Sequence, residues 1–127
     1  METAVKATRL TIRITGSLQI ILGVLFWLGL LTALVPIHIL SGAMLVLGLW
    51  VEAVLAARAG VKPGQVGLAL IWGLVTLLLG LTQKTLLAGP AHWVIQVLHL
   101  LVGVGAIGLA EMLATRIKRT APPVRTA

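Results

Sequence analysis

A chain of 127 residues holds one domain, and this one is 59% hydrophobic and only 10% charged, with a mean hydropathy of +1.11. A soluble domain carries roughly 25% charged residues, so that composition excludes a water-soluble globule. The net charge of +7 and the lack of any cysteine set two more limits. The basic residues are distributed in a way that argues against nucleic acid, as shown below. Without cysteine there are no disulfides, thiolate metal sites or Cys nucleophile, and no covalent c-type heme attachment.

In chain order, Lys6, Arg9 and Arg13 precede a stretch free of Lys, Arg, Asp and Glu that ends only at Glu52; further charge-free stretches cover 63–83 and 85–110. About 20 apolar residues cross the ~30 Å hydrocarbon layer as a helix. The stretches therefore predict an all-α polytopic membrane protein with four transmembrane helices, at about 12–33, 36–57, 65–83 and 90–115. The apolar runs are continuous, not alternating, which favours helices over barrel strands. Leu34-Val35-Pro36 reads as a short outer turn, Gly60-Val61-Lys62-Pro63-Gly64 as a turn with Gly60 capping a helix, and Gln83–Pro90 as an outer loop. Residues 1–119 form the bundle. From Thr120, with Pro122 and Pro123 beyond, a disordered tail is expected over 120–127.

Nine of the ten basic residues fall on one side of this topology, leaving Lys84 alone on the other. By the positive-inside rule, both termini and the 58–62 turn are cytoplasmic in an inner, multi-pass membrane location. The same basic surface can attract anionic lipid headgroups. No cleavage-site pattern follows the basic start, so no cleavable signal peptide is expected.

The second half reads as a diverged copy of the first, giving two repeated helical hairpins. Aligning Gly23 with Gly73 brings Thr32 onto Thr82; aligning His38 with His99 brings Gly42 onto Gly103 and Arg58 onto Arg119. Such a repeat makes the second and fourth helices equivalent. His38 lies 20 residues before Arg58 and His99 20 before Arg119, so both sit roughly 30 Å from the inner boundary. Two imidazoles at one depth can grip a metal centre between them. His-x-x-x-Gly occurs at both places, through Gly42 and Gly103, and glycine leaves room for a flat ligand such as a porphyrin. On the fourth helix His92, Gln96, His99, Gly103, Ala106 and Ala110 share one stripe. His92 and Lys84 belong to the outer interface, where they face water or meet heme propionates. Gln19 and Gln96 suit interhelical hydrogen bonds. Glu52 and Glu111, near cytoplasmic Arg residues, read as snorkelling or paired.

The arrangement resembles the membrane b-type cytochromes, whose four-helix cores ligate heme through histidines on the second and fourth helices. The resemblance covers the architecture of the whole bundle and rests on His38 and His99. It implies heme b with these two as axial ligands to the heme iron, and Gly29 and Gly80 on the first and third helices making room for the ring. Two-heme members carry further histidines where this chain has Glu52 and Leu113, so one heme at most is implied. An electron carrier or a heme or redox sensor is then expected in place of a stand-alone enzyme. Its electrons would come from quinol or a membrane redox partner, within a homo-oligomer or a larger complex. Two other classes fit the same spans: a non-redox accessory or scaffold subunit, with interfacial histidines, and a small transporter with a path between the hairpins.

Overall fold

The computed structural model describes residues 1–120 and contains helices α1 (Glu2–Trp27), α2 (Val35–Arg58), α3 (Pro63–Thr82) and α4 (His92–Thr120), with a 3₁₀ turn at Thr32–Leu34. Each of the four is long and apolar enough to cross a membrane. Leu10, Ile14, Leu40, Ile71 and Leu101 are each at least 60% exposed. In water such a surface would be a large liability, whereas against lipid tails it is the normal exterior of a bundle. The protein is a membrane protein built as a four-helix bundle.

Consecutive helices pack together and α1 closes the ring against α4, while α2 and α4 also touch across the middle. The bundle is therefore flattened, with the two central helices flanked by α1 and α3. Small residues make this possible: Ala53 and Ala56 on α2 face Ala106, Ala110 and Ala114 on α4 within one buried cluster, together with Ile12, Leu49 and Leu113. That close-packed core fills the half of the bundle nearest the chain ends. Two partly buried indoles tie α3 to its neighbours. Trp50 Nε1 donates to the Leu70 carbonyl (3.1 Å) across Gly73, and Trp72 Nε1 donates to the Val102 carbonyl (2.9 Å) across Gly105. In hydrocarbon an indole N–H has no water to turn to, so each indole needs such an acceptor.

The helix ends explain where the expected spans shift. α1 stops at Trp27, six residues before Ala33, because Gly29 adopts a left-handed φ of 74°. The Gly29 and Leu30 N–H groups then bond back to the Phe26 and Leu25 carbonyls at 3.0 and 2.8 Å, closing a Schellman cap. The same cap ends α2 at Gly60 (φ 81°), where Val61 N–H reaches the Ala56 carbonyl at 3.0 Å. Gly60 is the cap expected from sequence. The α1–α2 connection is longer than Leu34-Val35-Pro36, and Gly29 lies in it as a helix terminator. At the other end of the chain α4 continues through Thr120, so Thr120 is helical; the rest of the expected tail lies outside the described residues.

Candidate functional site

In the half of the bundle away from the chain ends, the packed core gives way to a cavity of about 540 Å³ lined by all four helices. This is within the roughly 300–1,000 Å³ typical of cofactor and small-molecule pockets. The cavity forms where α1 runs out at its Schellman cap while α2 begins at Val35, and where α3 ends while α4 begins at His92.

His38 projects from the first turn of α2 and His99 from the end of the second turn of α4, and their ring centroids are 6.3 Å apart. The equal depth counted from Arg58 and Arg119 thus matches two rings that meet. The planes are inclined at 61°, so the rings are not stacked. Each Nδ1 is buried with no hydrogen-bond partner, leaving Nε2 as the ring nitrogen accessible to the cavity. With no acceptor fixing Nδ1, packing alone orients the rings. His38 is held edge-on by Phe26 at 5.3 Å, and its Cε1 lies 3.8 Å from where a Cβ on Gly23 would be. His99 is seated more tightly, its Cε1 only 3.1 Å from the position of a Cβ on Gly80. Each imidazole therefore backs onto a glycine of the preceding helix.

The other expected site residues divide. Gly42 and Gly103 both line the cavity, but only Gly103 opens onto free space; a Cβ at Gly42 would meet the Gln19 amide nitrogen at 3.2 Å. Gln19 is an interhelical hydrogen-bonding residue as expected. Its amide donates to the His38 carbonyl and to Ser41 Oγ (2.6 Å), fixing α1 against the histidine turn of α2. Gly29 does not line the cavity, since it belongs to the α1 cap; Gly23, on the last turns of the same helix, takes the place expected for it. Lys84 and His92 stand at the rim. His92 Nδ1 is 3.2 Å from the Leu86 carbonyl, which ties it to its own loop. Gln96 also lines the cavity.

No family model, curated protein or solved structure matches the chain. The site must be read from its own chemistry.

Phe26 and Thr76 line the cavity without having been singled out by sequence, and Gly23, which sequence marked through the repeat alignment, lines it as well. Gly23 had a usable signal, because it sits seven residues from Gly16 exactly as Gly80 does from Gly73, but the histidine it faces is set by helix packing. The two acidic residues part ways. Glu111 is paired as expected, though with Arg9 and Arg13 of α1. Glu52 does not snorkel: its side chain is fully buried, and neither carboxyl oxygen has a partner. It lies six positions from Arg58 on α2, which turns the two side chains to different faces.

Proposed function

We propose that this protein is a membrane-embedded b-type heme protein that carries electrons, with His38 and His99 as axial ligands through Nε2. The observation that carries the reading is the 6.3 Å separation of two imidazoles across a cavity lined by all four helices. Two metal–nitrogen bonds of about 2 Å, with about 1 Å more from each nitrogen to its ring centre, span roughly that distance. The donor set points the same way. Among the described residues no three His, Asp or Glu converge, whereas a bare divalent ion usually takes three or four protein ligands. A group that brings its own equatorial nitrogens needs only two.

A bound heme would supply one-electron chemistry, and ligation by both histidines would favour electron transfer over oxygen binding. The chain's own contribution is to bind and to orient. The two imidazoles would hold the group, Gly80 and Phe26 set the ring positions, and the apolar walls exclude water. Lys84 and His92 at the rim suit the carboxylates of the propionates. Quinol or a membrane redox partner would deliver the electron.

Two finer readings belong to the same proposal. Among the described residues, eight of the nine basic residues mark the end of the bundle that carries Met1, which supports cytoplasmic termini and a cavity near the outer face. The matched Gly23–His38 and Gly80–His99 contacts support two related hairpins. The glycines then correspond at an offset of 57 residues (Gly23 to Gly80), in place of the Gly23–Gly73 alignment.

The absorption spectrum of the detergent-purified protein tests this. A red protein with a sharp reduced α-band is expected, lost in both His38→Ala and His99→Ala. Colourless protein from heme-replete cells, or an unchanged spectrum in both variants, overturns it.

A further inference from the structure

At the opposite end of the bundle a second, smaller cavity of about 200 Å³ lies between α1 and α4, lined by Val5, Lys6, Arg9, Leu10, Arg13 and Lys118. Positions 5, 6, 9, 10 and 13 occupy one face of α1, with Arg9, Arg13 and Lys6 lying between Val5 and Leu10 around a single groove. Glu111 arranges the centre. Its carboxylate accepts bonds from Nε and Nη2 of both Arg9 and Arg13, which holds the two guanidinium groups side by side. A guanidinium has five donor hydrogens, and neither Nη1 takes part in these bonds. The four cations are offset by Glu111 and by Glu2, which pairs with Lys6 at 2.7 Å. Two positive charges are left over, in a pocket with apolar walls.

We propose that this pocket binds the phosphate of an anionic phospholipid, with one acyl chain lying along α1. The apolar surface above the cations identifies the occupant as a lipid. Leu10, Ile14 and Ile21 are 60%, 60% and 57% exposed and lie within 40° of one another around the helix. They begin at the pocket's own Leu10 and run about 16 Å along α1, close to the ~15 Å of one hydrocarbon leaflet. A free phosphate would use the cations but not the stripe. Glu111 serves as a positioning residue, since it sets the two guanidinium groups and would not itself touch the phosphate. Lys6, paired with Glu2, and Lys118 stand as point charges on either side.

The test is to reconstitute the full-length protein in nanodiscs of equimolar phosphatidylglycerol and phosphatidylcholine and count the lipids retained by native mass spectrometry. At least one phosphatidylglycerol should be retained in excess. Lys6→Gln and Lys118→Gln should each reduce that excess by about fivefold, while Lys62→Gln, basic and on the same side but outside the pocket, should leave it unchanged. Both pocket lysines are surface groups, and an unaltered melting temperature confirms that their variants fold. Equal retention of the two lipids overturns the proposal. An equal loss in Lys62→Gln overturns it in favour of diffuse surface charge. Displacement of the lipid by millimolar inorganic phosphate overturns the lipid assignment in favour of a soluble anion.

Discussion

Alanine at Gly80 should damage the site, and alanine at Gly23 should not. The added methyl at Gly80 would stand 3.1 Å from His99 Cε1, tighter than an imidazole tolerates without moving, while at Gly23 the corresponding distance to His38 is an ordinary 3.8 Å. Because neither Nδ1 is held by a hydrogen bond, nothing else restores the ring. Heme affinity, read by titrating apo-protein, should fall about tenfold in Gly80→Ala and stay close to wild type in Gly23→Ala. Glu52 makes a second residue-scale case. A carboxyl group with both oxygens unpartnered inside an apolar core is a standing cost of about 1–3 kcal/mol. Glu52→Leu should therefore raise the melting temperature in detergent. Glu52→Gln, which keeps a polar group in the same place, should leave it nearly unchanged. A lower melting temperature in Glu52→Leu would mean that the carboxyl contributes an interaction absent from the structure.

Between helices, the glycines separate by what they face. A Cβ at Gly105 would press on Trp72 Cζ2 at 2.8 Å, whereas one at Gly108, a turn away on the same helix, would meet nothing. Gly105→Ala should cost about 1–3 kcal/mol through overpacking, and Gly108→Ala should be neutral or slightly stabilising through helix propensity. Thermal melts of the two variants make the comparison directly. The four helices themselves were legible in the charge-free stretches, because a bilayer imposes length and apolarity on any span. Their ends were less so. Leu28, Leu30 and Leu31 are as apolar as a span, so hydropathy carries α1 past the point where Gly29 turns left-handed; Gly60 was readable because Lys62, Pro63 and Gly64 follow it. The histidine pair was legible by counting along two helices from their basic anchors. Phe26, the contact of Gly23 with His38 and the Glu111 clamp were not, since each depends on how α1 is rotated against α2 and α4. Sequence spacing within a helix says nothing about that rotation.

For the molecule as a whole, the proposed orientation rests on where the cations lie, and the lack of cysteine makes it simple to test. Single cysteines replacing Thr3 or Gly64 should be shielded in intact cells from a thiol reagent that cannot cross the membrane, while one replacing Thr85 should react. The reverse pattern would place the termini outside. The clamp of Arg9 and Arg13 on Glu111 also bears on how the bundle is made. Its partners are 102 and 98 residues apart in the chain, so throughout synthesis α1 waits with two guanidinium groups uncompensated until the last helix leaves the ribosome. The clamp is in effect a completion signal: a nascent or truncated chain lacking α4 leaves both guanidinium groups of α1 uncompensated, and only the arrival of Glu111 offsets part of that charge.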